Sequence, residues 1–261
     1  MLITSPQNPR IKQLIALRER KEREKTNLMI VEGHDELTTA LASGSRPHEV
    51  YFCPSLSHHS PQNALLKSVS EQQRFEVNER VFEKIAYRNN PDGWLATFRI
   101  PHQPLKDLAL RPRPLLIISE GVEKPGNLGA MLRTADAAGV DALVACDPLA
   151  DWGNPNVVRA SKGALFTVQV AEASNQETIS WLREKGIRIV AATPQAALRH
   201  TDADMSGGVA IVVGTEHEGL TDEWLDAADT QVQIPMHGKV NSLNVSIATA
   251  LLVYEAVRQR G

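Results

Sequence analysis

The chain has only two cysteines, Cys53 and Cys146, and neither lies in a Cys-x-x-Cys pair or a Cys/His cluster. That scarcity excludes a zinc ribbon and a disulfide scaffold, and it leaves both thiols as ordinary buried side chains. No apolar run reaches the roughly 18 residues that a membrane span requires. The start, Met1-Leu2-Ile3-Thr4-Ser5-Pro6, lacks the apolar stretch of a signal peptide, so the expected location is the cytoplasm. Internal repeats and low-complexity segments are also missing. What is present is ordinary for a globular protein: 261 residues, 42% hydrophobic, 23% charged and a formal net charge of -3. This length suits one or two domains and can bury a core without disulfides or metal.

The near-neutral total conceals an asymmetry. Residues 1–105 carry 14 basic and 12 acidic side chains, whereas residues 106–261 carry 14 and 19. Arg10, Lys12, Arg18, Arg20, Lys21, Arg23 and Lys25 face only Glu19, Glu22 and Glu24. Asn8-Pro9 reads as a cap followed by proline at the first helical position, and Ile11, Leu14, Ile15 and Leu17 follow near helical spacing. The pattern predicts one basic amphipathic helix over residues 8–25. Two explanations stand side by side: an anionic partner, or a solvated face with pairs such as Arg18–Glu22 and Arg20–Glu24.

Short apolar runs alternate with helical stretches up to Ile100. Pro101, Pro104, Pro112 and Pro114 then crowd fourteen residues and interrupt helix and sheet alike. The expected boundary separates a small α/β domain, residues 1–105, from a second domain, residues 106–261. In the second, continuously apolar strands such as Leu115 to Ser119 and Val209 to Val213 alternate with helices, as in a mainly parallel sheet covered on both faces. The last helix, expected over about Ser242 to Arg258, is apolar nearly all round. Leu243, Ile247, Ala250, Leu251, Tyr254 and Val257 share one face, while Val245, Ala248, Leu252 and Val253 lie elsewhere, which calls for a second covering partner.

Ligands of α/β sheets bind in the loops that follow strands, so three segments stand out. In Pro125-Gly126-Asn127-Leu128-Gly129-Ala130-Met131-Leu132-Arg133, Asn127 is suited to cap a helix and Arg133 to reach a phosphate or ribose oxygen; taken alone, these residues favour the plainer reading of a capped helix with a surface arginine. Gly214-Thr215-Glu216-His217-Glu218-Gly219-Leu220-Thr221 has Walker-like glycine spacing, but Leu220 stands where the lysine belongs, and two glutamates would repel a triphosphate. A P-loop is therefore excluded. His217 reads as a loop histidine. In Ile234-Pro235-Met236-His237-Gly238-Lys239-Val240-Asn241-Ser242-Leu243-Asn244, a strand end breaks at proline and enters a helix through Asn241 or Ser242, a pattern that is half cap, half candidate site. A dinucleotide-dependent oxidoreductase would need Gly-x-Gly-x-x-Gly after the first strand, which Gly126-Asn127-Leu128-Gly129 does not supply.

Taken together, Asn127-x-Gly129-x-x-x-Arg133, Gly214-x-Glu216-x-x-Gly219-Leu220 and Ile234-Pro235-Met236 with Ser242-Leu243-Asn244-Val245-Ser246 resemble the three ordered motifs of the SpoU (TrmH-like) RNA 2'-O-ribose methyltransferases. Asn8-Pro9-Arg10-Ile11-Lys12 with Val31-Glu32-Gly33 resembles the N-terminal substrate-binding domain of ribosomal-RNA members, a small fold shared with a large-subunit ribosomal protein. The resemblance implies an α/β trefoil-knot (SPOUT) methyltransferase domain that uses S-adenosylmethionine and no metal, and a homodimer. It implies catalytic roles for Arg133, Asn127, Glu216, Ser242 and Asn244, and cofactor contacts at Thr193, Gly214, Gly219, Ile234, Met236 and Leu243. The basic helix, with Arg10, Lys12, Arg18 and Lys21, would bind structured RNA, ribosomal rather than transfer RNA, through phosphates and shape. A transfer-RNA enzyme and a non-catalytic RNA-binding protein of the same fold are the alternatives.

Overall fold

The structure, a computed structural model, describes residues 1–58, 64–215 and 218–261. The elements begin with β1 (Leu2–Ile3), α1 (Pro9–Ala16), α2 (Arg20–Thr26), β2 (Leu28–Glu32), α3 (His34–Ala42) and β3 (Glu49–Phe52). Next come α4 (Ala64–Lys67), β4 (Arg74–Val77), α5 (Glu79–Ile85), β5 (Trp94–Arg99), β6 (Leu115–Glu120), α6 (Pro125–Ala138) and β7 (Ala142–Cys146). The remainder are α7 (Pro155–Ser161), β8 (Gln169–Ala173), α8 (Asn175–Glu184), β9 (Arg188–Ala192), β10 (Leu198–Arg199), β11 (Val209–Val213), α9 (Asp222–Ala227), β12 (Thr230–Gln233) and α10 (Val245–Arg260). Among the described residues no helix is long and apolar enough to cross a membrane.

Two compact units result, one of Met1–Pro101 with Asp151–Thr167, the other of His102–Ala150 with Val168–Gly261. The sequence-based division at residues 105 and 106 contains no such excursion. Residues 151–167 join the first unit through long-range pairs: Arg23, 1% exposed, donates from Nε and Nη2 to the two carboxylate oxygens of Asp151 at 2.8 and 2.6 Å. Phe98 also packs on Phe166 with ring centroids 5.0 Å apart.

The first unit holds a five-stranded sheet of order β1-β4-β3-β5-β2, in which β5 runs antiparallel to both neighbours and the other pairs are parallel. Ile11, Leu14 and Leu17 bury with Tyr51, Phe75, Val81 and Phe82. Asn8 caps α1 as expected, its Oδ1 accepting from the Arg10 amide at 2.9 Å. The single helix expected over residues 8–25 is instead two, α1 and α2, because distant groups compensate a break at residues 17–19. Arg23 Nη1 donates to the freed carbonyls of Leu17 and Arg18 at 2.9 and 2.7 Å. Arg18 Nη2 donates to the carbonyls of Lys84, Ile85 and Ala86 at the end of α5. Arg18 is thereby diverted from the anticipated pairing with Glu22, while Arg20 and Glu24 do meet, at 2.7 Å.

In the second unit seven strands, ordered β10-β12-β9-β11-β6-β7-β8, are all parallel. β6, β7 and β11 are buried along their whole length, as continuous apolar runs require when helices cover both faces. Leu116, Ile118, Val144 and Val212 pack with Trp181 and Leu182 of α8 and Trp224 of α9, while α10 packs on α6. The last helix begins at Val245 rather than near Ser242, because Asn244 supplies the cap: its Oδ1 accepts from the Ser246 amide at 3.0 Å. α10 buries Val245, Thr249, Leu252, Val253 and Ala256, which leaves Ile247, Leu251 and Tyr254 of the opposite apolar face 53%, 44% and 49% exposed.

Candidate active site

A parallel sheet brings the carboxyl ends of its strands to one edge. Here β12, β9, β11 and β6 are consecutive neighbours, with Val213 beside Ser119 and Val232 beside Ala192. The segments that follow these strands therefore leave the sheet side by side. They carry Asn127 and Arg133 after β6, Thr193 after β9, Gly214 to Gly219 after β11, and Ile234, Met236 and Ser242 to Asn244 after β12.

The first and third segments meet directly, since Asn244 Nδ2 donates to Asn127 Oδ1 at 3.1 Å. Asn127 is not the cap of α6, contrary to the expectation from sequence; the cap position is Lys124, and Asn127 sits in the first turn, 8% exposed. With Pro125 taking the first helical position, Asn127 enters too late to cap, and its side chain pairs with Asn244. Arg133 lies further along α6 and is exposed, as is Ser242. Thr193 is buried, and its amide donates to the Val232 carbonyl at 2.9 Å, tying the end of β9 to β12. Ile234, Met236 and Leu243 are half-buried.

The glycine loop is closed by its own backbone. The Thr215 amide donates to the Gly219 carbonyl at 3.0 Å and the Gly219 amide returns to Thr215 at 3.2 Å. Gly219 has a φ of +75°, and a Cβ on Gly214 would lie 2.1 Å from the Gly219 carbonyl oxygen, so glycine is required at both. Glu216 and His217 lie outside the described residues.

Sequence reasoning missed the anchor of this loop. Glu120, the last residue of β6, is 4% exposed and accepts from Asn175 Nδ2 at 2.6 Å, Thr221 Oγ1 at 2.7 Å and the Thr221 amide at 2.9 Å. Trp224 Nε1 completes the network by donating to Asn175 Oδ1 at 2.7 Å. A carboxylate closing an otherwise apolar strand was the available signal. Burial pushes the Cys146 thiol up to about 12, and it donates to Thr178 Oγ1 at 3.2 Å. Among the described residues no group of three or more His, Cys, Asp or Glu side chains is arranged to hold a metal.

The four basic residues singled out near the start divide. Lys12 and Lys21 are exposed. Arg10 pairs with Glu49 and lies over the Phe75 ring, 4.6 Å from its centroid, while Arg18 caps α5 as described.

A site built from loops at the carboxyl edge of a parallel sheet defines a ligand-binding α/β protein. Residues 114–254 match the SpoU rRNA methylase family and residues 8–96 the MRM3-like substrate binding domain. The chain belongs to the SpoU rRNA methylase family. It is 31% identical over 252 residues to the 23S rRNA (guanosine(2553)-2'-O)-methyltransferase RlmP of Bacillus subtilis (strain 168), covering 97% of each chain. It resembles the crystal structure of an RNA 2'-O ribose methyltransferase, with a TM-score of 0.86, 41% identity and coverage of 100% and 99%. It also resembles the AdoMet-bound rRNA methyltransferase from Sinorhizobium meliloti, with a TM-score of 0.91, 30% identity and coverage of 99% and 97%.

Proposed function

We propose that the protein methylates a ribose 2'-hydroxyl of ribosomal RNA with S-adenosylmethionine as donor. The observation that carries this reading is the Asn127–Asn244 hydrogen bond, which joins the first and third family motifs at the edge where the glycine loop also emerges. When bound, S-adenosylmethionine supplies a methyl group on a positively charged sulfur. The residues present fit it: Thr193, Gly214, Gly219, Ile234, Met236 and Leu243 bring backbone groups and apolar side chains and no cation that would repel the sulfonium.

In this reading Arg133 binds the target phosphate and donates to the 2'-oxygen as negative charge develops there. A guanidinium is a donor only, so it stabilises the developing alkoxide rather than acting as base; as the 2'-oxygen bonds to the methyl carbon, the carbon–sulfur bond breaks to leave a neutral thioether and the hydroxyl proton passes to solvent water. Asn127, Glu216, Ser242 and Asn244 orient Arg133 and the ribose, which lowers the entropic part of the barrier. Residues 1–105 serve as the RNA substrate-binding domain, related in fold to a ribosomal protein, and Arg10, Lys12, Arg18 and Lys21 contribute positive charge there. Residues 106–261, apart from the stretch 151–167 that packs with the first unit, form a SPOUT domain with a trefoil knot. The enzyme works in the cytoplasm as a homodimer, and the exposed stripe of Ile247, Leu251 and Tyr254 on α10 supports that assembly.

The test is transfer of labelled methyl from S-adenosylmethionine to total RNA of cells lacking the protein, followed by size separation and digestion to nucleosides. Label is expected in a 2'-O-methylnucleoside of large ribosomal RNA. Label confined to transfer RNA would move the substrate, and absence of both transfer and cofactor binding would overturn the reading. Arg133→Ala is expected to lower transfer by roughly 100- to 1,000-fold while cofactor affinity holds within about twofold.

A further inference from the structure

A second feature with ligand-binding chemistry lies wholly within the first unit. Its residues line a shallow cleft that opens to the surface. Ile30 and Glu32 of β2 line it, together with Tyr87 and Arg88 beyond α5, Arg18 from the turn between α1 and α2, and Arg159 of α7.

The cleft is built rather than incidental. Glu32, 8% exposed, accepts from the Tyr87 amide at 2.7 Å and the Arg88 amide at 3.2 Å, which fixes the turn that presents both side chains. Tyr87 is held at its tip, where the hydroxyl donates to Asn156 Oδ1 at 3.1 Å, yet the residue remains 40% exposed.

The charges are unevenly balanced. Arg88 is neutralised by Glu36 at 2.6 Å. Among the described residues Arg18 meets only main-chain carbonyls, and its buried Nε has no hydrogen-bond partner. Arg159 is exposed and, among the described residues, has no carboxylate within ion-pair distance. Two guanidinium groups without carboxylate partners beside an open aromatic ring and an aliphatic wall match a nucleotide: planar bases stack on tyrosine, and phosphodiesters take charge-assisted hydrogen bonds from arginine.

We propose that this cleft is a subsite for one unpaired nucleotide of the RNA substrate, with the base on the Tyr87 ring and the phosphate on Arg18 and Arg159. The proposal rests on the RNA methyltransferase reading above and adds to it a place on the first unit that grips RNA away from the reacting ribose.

The experiment uses the full chain, an unmodified large-subunit ribosomal RNA transcript, and three variants: Tyr87→Ala, Tyr87→Phe and Arg159→Ala. Tyr87→Ala and Arg159→Ala are expected to raise the RNA KM about tenfold, with the calorimetric Kd for S-adenosylmethionine unchanged. Arg159→Ala should also lower the slope of log affinity against log salt by about one contact. Tyr87→Phe keeps the ring and should stay within about twofold of the wild type. Unchanged RNA KM in both alanine variants of an active enzyme would overturn the subsite and leave the methyltransferase reading intact. Equal losses in Tyr87→Phe and Tyr87→Ala, or a parallel loss of cofactor affinity, would mark a structural role and overturn it as well. A wild-type protein that neither binds S-adenosylmethionine nor transfers methyl would instead overturn the reading on which it rests.

Discussion

Glu120→Ala removes a buried carboxylate that ties the glycine loop to the sheet. Three donors lose their acceptor: Asn175 Nδ2, Thr221 Oγ1 and the Thr221 amide. The hydroxyl can rotate to another partner, but the amide and Asn175 Nδ2 are held by the backbone and by the Trp224 bond. The buried Asn175 Nδ2, stranded at about 1–3 kcal/mol, together with the part-buried Thr221 amide, which costs less, sets a loss of about 3 kcal/mol. Glu120→Gln keeps the volume and one acceptor oxygen but turns an NH2 toward a donor, so its loss should be about 2 kcal/mol. Urea unfolding followed by tryptophan fluorescence measures both, with Trp224 inside the affected network. Because Thr221 anchors the chain that leaves the Gly214–Gly219 segment, part of the loss should reach the cofactor: each roughly 1.4 kcal/mol of loop order weakens S-adenosylmethionine binding about tenfold in calorimetry. A Glu120→Ala protein with wild-type midpoint and cofactor affinity would refute the argument, as would a glutamine variant as damaged as the alanine one.

Gly214→Ala places a methyl group 2.1 Å from the Gly219 carbonyl oxygen, so main chain must move. The variant should fold with Tm lowered by about 5 °C and show no measurable cofactor binding, and unaltered binding would contradict it. The Arg258 guanidinium holds the Glu255 carboxyl down at about 2, from an ordinary 4.5, with help from Gln259. A carboxyl depressed in the folded state stabilises fully above pH 4.5 and loses that contribution as pH falls toward 2, so Glu255→Gln should flatten this part of the acid limb in a pH series of unfolding midpoints. Leu251→Asp puts a charge in the exposed stripe of α10 and should turn a dimer into a monomer by light scattering at micromolar concentration, while a wild-type monomer would refute the assembly.

The legible part of the fold was carried by local pattern. The runs Leu115 to Ser119 and Val209 to Val213 are apolar at every position or nearly so, and such strands belong inside a parallel sheet, which is where both lie. Asn8-Pro9 announced a helix start because cap chemistry needs only adjacent residues. Elements with weak periodicity went unseen: α7 and α9 are short, and β10 has two residues, both exposed. The start of α10 was displaced because Asn241, Ser242 and Asn244 can each cap, and burial of Val245 and the Asn127 contact favoured Asn244.

By itself, then, the sequence determined the α/β class, the parallel second sheet and the three loop segments, since each is encoded in hydrophobic period, turn chemistry and the order of short motifs. Tertiary structure alone decided which groups meet. The partners Arg23–Asp151, Asn127–Asn244 and Glu120–Thr221 lie 128, 117 and 101 residues apart. Such pairs leave no periodic trace, because one residue's burial and hydrogen bonding depend on a partner that only the folded chain brings within reach. The same dependence broke the expected N-terminal helix, drew residues 151–167 to the first unit and set Tyr87 and Arg159 at one cleft.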